Sequence, residues 1–277
     1  MIDLHLHTYY SDGTLSPEAL VKRAARRGIT TIAITDHDGV NGISEALEAG
    51  KKYGVKVIPS IEFSTGIGNE DQQIYMHILG YHIDINNEPL KRAVEEIRKK
   101  REERNTKLLR TLNKIGFQMD KEDLLQRPEQ DYVGKPNFAL AMTKRGYINN
   151  PKDAFTPGKF LRHPEIRRIH REKIHVREAI SLINGAGGKA VLAHPYKIAF
   201  LKCKNEGYYE RLERLLDSLQ EWGLSGMECY YSSHTPEQAE KLVEIAKRRG
   251  LLITSGSDFH GPDFNPALDI GVTGEVF

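Results

Sequence analysis

Hydrophobic and polar positions alternate from the first residues of the chain. In Ile2-Asp3-Leu4-His5-Leu6-His7 the period of two predicts a strand with His5 and His7 on one face and Leu4 and Leu6 on the other. Ser16 to Gly28 then carries the marks of a complete helix, with Ser16 as N-cap, Pro17 in the first turn, basic residues late and a terminal glycine. The β-branched run Thr31–Thr35 is a strand covered on both faces, ending in Asp36-His37-Asp38. A second helix, Ser44 to Tyr53, stops at Gly54 and leads to a strand over Val55–Ser64 with Glu62 at its end. The fourth strand, Ile74–His82, carries His77 and has no long helix before it.

Strand–helix alternation then stops. Pro89 to Lys114 is a long, highly charged helical pattern with Leu90, Val94, Ile97, Leu108, Leu109 and Leu112 as its apolar positions, and no strand is evident before Arg168. Alternation resumes at Val176 with a helix through Ile180 and Ile183 and the strand Lys189–Ala193, which ends in His194-Pro195. The helix Tyr209–Trp222 feeds the strand Gly226–Tyr231. A capping box at Thr235–Gln238 opens a helix that ends at Gly250, followed by the strand Leu251–Ser255 and Gly256-Ser257-Asp258-Phe259-His260.

Seven strands, mostly joined by helices, suit a parallel barrel or a doubly wound sheet. The polar residues favour the barrel, because six of the seven strands place a His, Asp or Glu at or near the C-terminal end, where α/β barrels assemble their sites. The expected architecture is an α/β fold, a parallel barrel formed by residues 1–88 and 169–277, with an inserted helical subdomain over residues 89–168.

Composition adds limits. With 39% hydrophobic and 28% charged residues among 277, and a net charge of +2, the chain is an ordinary globular protein, so any affinity for phosphate must come from local clustering. Its two cysteines, Cys203 and Cys229, form no CxxC pair; a disulfide framework is not expected and a reducing compartment is. The first residues lack the apolar run of a signal peptide and no stretch is long and apolar enough to span a membrane, so the expectation is a cytoplasmic protein without a membrane partner or an obligate protein partner.

Taken singly, a His or Glu at a strand end is more often hydrogen-bonded than metal-bound. Here five strands deliver His to one rim, accompanied by Asp12, Glu62 and Asp258, and His-x-His and Asp-x-His place donors in pairs. Imidazole and carboxylate without thiolate suits Mn, Zn or Fe, and there are more donors than one ion can use, so two or three divalent ions are expected, with Glu62 as a bridge. Such a cluster would lower the pKa of water and clamp the oxygens of an in-line displacement at phosphorus.

His5-Leu6-His7-Thr8 with Ser11-Asp12-Gly13, Thr35-Asp36-His37-Asp38, Glu62-Phe63-Ser64, Ala193-His194-Pro195 and Gly256-Ser257-Asp258-Phe259-His260 resemble, in order, the motifs of the PHP (polymerase and histidinol phosphatase) superfamily. The resemblance implies a distorted seven-stranded (β/α) barrel with a trinuclear site in which His5, His7, Glu62 and Asp258 hold one metal, Asp12, His37 and His260 a second, and Glu62, His77 and His194 a third. Asp12, where many relatives have His, together with the helical insertion, is similar to the branch of nucleoside 3′,5′-bisphosphate phosphatases and short-RNA 5′→3′ exonucleases. Gly134-Lys135-Pro136-Asn137 resembles a Gly-Arg-Pro-His segment of that branch.

The function expected from this resemblance is hydrolysis of a phosphate ester of a small nucleotide by a metal-activated hydroxide, with a product such as AMP and with short RNA as a further substrate. Asp36, Lys197 and His234 are the candidate catalytic groups beside the metals; Lys135, Asn137, Arg167 and Arg168 are the candidate substrate contacts. The mixed-sign run Arg98–Arg104 is expected to be a solvated helix face, whereas the one-sided run Arg162–Arg171 could flank the cleft. The alternatives are a phosphatase for another metabolite such as histidinol phosphate and a catalytically silent binding module.

Overall fold

A computed structural model describes residues 1–68, 74–125, 127, 130, 132–170, 172–202 and 207–271. Cys203 and Arg171 lie outside the described residues. Strands β1 (Ile2–Leu6), β2 (Thr31–Ile34) and β3 (Lys56–Ile67) are connected by helices α1 (Pro17–Arg26) and α2 (Ile43–Tyr53), and β4 (Ile74–Tyr81) follows β3 directly. The insertion opens with α3 (Glu88–Lys114) and contains α4 (Lys135–Lys144) and the short α5 (Pro164–Arg167). Then come β5 (Ile174–His175), α6 (Val176–Gly185), β6 (Lys189–Leu192), α7 (Tyr208–Glu221), β7 (Gly226–Tyr231), α8 (Pro236–Arg249) and β8 (Leu252–Gly256).

Helix boundaries follow local chemistry. The Ser16 hydroxyl accepts from Ala19 N–H and Thr235 from Gln238 N–H, while Gly54 and Gly250 end their helices in the left-handed conformation that a Cβ disfavours. Among the described residues, no helix is long and apolar enough to cross a membrane. Cys229 is a buried free thiol.

The strands run in the order β1-β2-β3-β4-β6-β7-β8. Hydrogen bonds from Asp258 N to His5 O at 2.9 Å and from His7 N to Phe259 O at 3.1 Å bring the last strand back to the first, giving the barrel-like sheet. Leu4, Ala33, Ile58, Leu79, Val191 and Ala193 cluster within it, while neighbouring residues such as Ile32 and Ile34 pack outward with the helices.

The structure departs from the sequence reading in four respects. First, β4 is antiparallel to both β3 and β6, because without a helix to carry the chain back the β3–β4 link is a hairpin. His77 therefore reaches the rim from the N-terminal half of its strand. Second, β3 continues to Ile67, which puts Glu62 in mid-strand rather than at a strand end. Third, β5 pairs with Thr65 and Gly66 of β3, and two residues are too few to show a period. Fourth, the β1–β2 register breaks between Asp3 and Leu6, so Leu4 lies in the inner cluster and Leu6 in the outer one, not on a shared face.

Helix α3 belongs to two cores. Leu90 and Ile97 pack with barrel residues, whereas Leu108 and Leu112 join a separate cluster with Phe138, Met142, Leu161 and Ile166 of the insertion. At 27 residues the helix is about 40 Å long, enough to serve both.

Candidate metal centre

Glu62 is the hub. Its Oε1 lies 2.9 Å from His77 Nδ1, 3.0 Å from His194 Nε2 and 3.4 Å from His5 Nε2, and its Oε2 lies 2.9 Å from His37 Nδ1 and 3.3 Å from His7 Nε2. Asp258 Oδ1 faces His7 Nε2 at 3.1 Å and His5 Nε2 at 3.4 Å. Asp12 faces His260 Nε2 at 3.3 Å, and His7 and His37 at 3.8 Å. Donor atoms fall into three groups, each within 4.8 Å: His5, His7, Glu62 and Asp258; His7, Asp12, His37 and His260; and His37, Glu62 and His77. The second and third groups differ from the ligand sets implied by resemblance. His7 joins the second, and His37 takes the place of His194 in the third, with His194 remaining at hydrogen-bonding distance from Glu62.

These residues fit divalent cations. His5 Nε2, His7 Nε2, Asp12 Oδ1, His37 Nδ1, Glu62 Oε2 and His194 Nδ1 are all buried and, close as several of them stand to one another, none is aligned in a hydrogen bond, a costly state for polar atoms that a shared cation would relieve. The donor set is nitrogen and oxygen only.

Electrostatics point the same way. Burial resists ionisation of Glu62, but His37, His5 and His77 outweigh it and hold its carboxyl well below the usual carboxylate range. His5, His260 and His7 do the same for Asp258, and His37 and His260 lower Asp12. Burial pulls the imidazoles of His5, His7, His37 and His77 down. The surrounding carboxylates overcome it at His5, which is raised well above its ordinary value, at His7, raised to about 8, and at His37, raised to about 9. At His77 burial prevails and the value falls to about 4, leaving a neutral ring with a lone pair to give.

A supporting layer holds the donors in place, and its main member escaped the sequence reading. Glu228 of β7, fully buried, accepts from His5 Nδ1 at 2.9 Å and from His194 N–H at 2.7 Å. This directs His5 Nε2 toward Glu62 and Asp258. A carboxylate between Met227 and Cys229 in an otherwise apolar strand was the available signal. Tyr231 donates to Asp258 Oδ2 at 2.7 Å. His194, at φ +27°, and Asp258, at φ +57°, hold backbone conformations rare outside glycine.

Asp36 belongs to none of the three donor groups. It accepts from Thr8 N at 2.7 Å, Thr8 Oγ1 at 2.7 Å and Ser11 Oγ at 2.5 Å, and so fixes the turn that delivers Asp12. His234 donates from Nδ1 to Cys229 O at 3.0 Å and packs between Tyr196 and Tyr231, with burial lowering its pKa. Lys197 is exposed, its Nζ 5.6 Å from the centre of the Tyr231 ring.

A cleft of about 600 Å³ opens beside the cluster. Asp12, His37 and His77 contribute to its lining from the barrel, and Arg101, Arg104, Lys135, Arg162 and Arg167 from the insertion. Burial, then Arg104, Arg162 and Arg167, lower the pKa of Lys135, a mark of how positive this wall is. Arg168 is exposed and is not among the lining residues. Asn137 is buried and not among the lining residues, its Oδ1 accepting from Gly134 N at 2.8 Å to cap α4.

The stretch Arg98–Arg104 is only in part the solvated face that its mixed signs suggest. Arg98 does pair with Glu95 and Glu102, but Arg101 and Arg104 are buried. Arg101 pairs with Asp38, donates to Tyr132 Oη at 3.1 Å and stacks 4.1 Å from the centre of that ring.

Comparison with known proteins agrees with this geometry. A 3′,5′-nucleoside bisphosphate phosphatase from Chromobacterium violaceum is 30% identical over 99% of this chain and 92% of its own length. A 5′-3′ exoribonuclease from Haemophilus influenzae is 31% identical over 94% and 90%. A phosphoribosyl 1,2-cyclic phosphate 1,2-diphosphodiesterase from Eggerthella lenta is 29% identical over 94% of both chains. The solved structure of an amidohydrolase from Chromobacterium violaceum, with bound sulfate and no metal, superimposes with a TM-score of 0.83 at 29% identity, covering 98% of this chain and 90% of that one. The family model of the PHP domain matches residues 3–261, and with donors, barrel and relatives in agreement, the chain belongs to the PHP domain family.

Proposed function

We propose that the protein is a metal-dependent phosphoesterase of small nucleotides, acting on nucleoside 3′,5′-bisphosphates and trimming short oligoribonucleotides from the 5′ end, with a nucleoside monophosphate such as AMP as product. The observation that carries this reading is the continuity of the donor cluster with a cationic cleft. A substrate with two phosphates needs two positive regions, one at the cluster and one beyond it. Histidinol phosphate, the second reading, carries an amine, which Arg104, Lys135, Arg162 and Arg167 would repel.

Two or three divalent ions, Mn, Zn or Fe, would be held by His5, His7, Asp12, His37, Glu62, His77, His194, Asp258 and His260. When bound they supply Lewis acidity, which lowers the pKa of water and offsets charge at phosphorus. The chain's own groups do the rest. Glu62 joins two of the three donor groups and keeps them in register; Glu228 orients His5; Lys135 and Arg167 bind and orient the second phosphate; the inserted subdomain 89–168 supplies that wall. His234, with its Nε2 buried and without a partner, is the nearest candidate for a proton carrier behind Tyr231. The site of action is the cytoplasm, where such nucleotides arise.

The test is phosphate release from adenosine 3′,5′-bisphosphate, short RNA and histidinol phosphate after chelation and add-back of each metal. Preferred release from histidinol phosphate, with the bisphosphate inert, would overturn the proposal. Metal-loaded protein inert toward every ester would favour a silent binding module.

A further inference from the structure

Five large hydrophobic side chains are exposed among the described residues, and two of them, Phe155 at 36% and Tyr75 at 41%, line the cationic cleft. They come from different units, Tyr75 from β4 two residues before His77 and Phe155 from the insertion. Single exposed aromatics are common on proteins, but two converging on one charged cleft call for an occupant.

Phe155 is held out by construction. It ends a 3-10 turn, Pro151–Phe155, whose start is fixed by Asn150 Oδ1 accepting from Lys152 N at 2.9 Å and Asp153 Oδ2 accepting from Asn150 N at 3.1 Å. The neighbouring Ala154 is fully buried in the insertion core, so the core position is already taken and Phe155 is left facing the cleft. On the other side, Lys173 Nζ sits 4.5 Å from the centre of the Tyr75 ring. Aromatic faces set among cations are the arrangement on which bases of single-stranded nucleic acids stack, because every base offers a π-face while the phosphates need positive charge.

We propose that Phe155 and Tyr75 form a nucleobase platform, which makes the cleft select nucleotides over base-less ribose phosphates and tolerate any base. This rests on the nucleotide reading above and deepens it. Hydrogen-bond readout is not required, so purine and pyrimidine substrates differ only through stacking strength.

The experiment measures kcat and KM for adenosine 3′,5′-bisphosphate and for the same ribose bisphosphate with a 1-O-methyl group in place of the base, using wild type, Phe155→Ala, Tyr75→Ala and Phe155→Trp. Each alanine variant is expected to raise KM for the nucleotide about tenfold with little change in kcat, and Phe155→Trp to restore it. The rise is confined to the substrate that carries a base. Equal rises for both substrates, or none for either, overturn the platform. Equal use of both substrates by wild type overturns it as well, while leaving the phosphoesterase reading intact. Inactivity of wild type on both, with turnover of histidinol phosphate, overturns both.

Discussion

Glu228 and His5 meet at 2.9 Å with both side chains fully out of solvent, so the orientation of one metal-facing imidazole depends on a carboxylate that lies outside all three donor groups. Replacing Glu228 with Gln keeps the shape but offers a weaker acceptor. Metal affinity is expected to fall about 10–100-fold, as is usual when such an outer partner is lost. Titration of the chelated protein with Zn or Mn by calorimetry checks this; unchanged affinity would mean that His5 is oriented by its strand alone.

The same corner of the barrel is intolerant of bulk. A Cβ at Gly256 would lie 2.2 Å from His5 Cβ and 2.7 Å from Glu228 Oε1. Gly256→Ala is therefore expected to push β1 from β8, cost roughly 1–3 kcal/mol as other overpacked cores do, and reduce bound metal. Thermal unfolding and metal content, measured together, test both consequences.

Arg101 and Asp38 tie the insertion to the loop that carries His37. Arg101→Ala leaves a buried carboxylate with only its other partners, among them Ser64 N–H at 2.8 Å, and is expected to destabilise the protein by about 3 kcal/mol. Arg101→Ala combined with Asp38→Asn should recover part of that loss. A double-mutant cycle in urea gives the coupling, and additive effects would refute it.

Lys135 gives the cleft a dependence on pH. Its folded-state pKa lies below the ordinary lysine value because burial and three arginines disfavour the charged form. Its charge therefore works against stability in full at pH values below that pKa; the penalty shrinks as pH rises from there and is gone above the ordinary lysine value. Phosphate binding restores the proton. KM should accordingly rise with pH through a point below about 10.4, and Lys135→Arg should flatten the profile, since guanidinium stays charged. An unchanged wild-type KM across that range would exclude Lys135 from substrate binding.

The fold was readable where strands and helices alternate, because Gly54, Gly250 and the Thr235 capping box punctuate it locally. Antiparallel β4 was less so, since direction follows from the link to β3 and not from the strand's own residues. The side chains that converge on Glu62 were legible as unusual polar residues beside apolar runs. Arg101 and Arg104 were not, although their positions carried a signal. They continue, at spacings of three and four, the buried stripe of Leu90, Ile97, Leu108 and Leu112. A charged residue on an apolar stripe is a candidate for a buried site, whatever the sign mixture around it.

The double membership of α3 bears on how the molecule comes apart. Its first turns complete the barrel's packing through Leu90 and Ile97, and its last turns nucleate the insertion's through Leu108 and Leu112. One rigid rod thus serves as a shared beam. Excising residues 89–168 would strip two buried side chains from the catalytic half, and melting either half would fray the support of the other. Heat should therefore dissolve both in a single calorimetric transition.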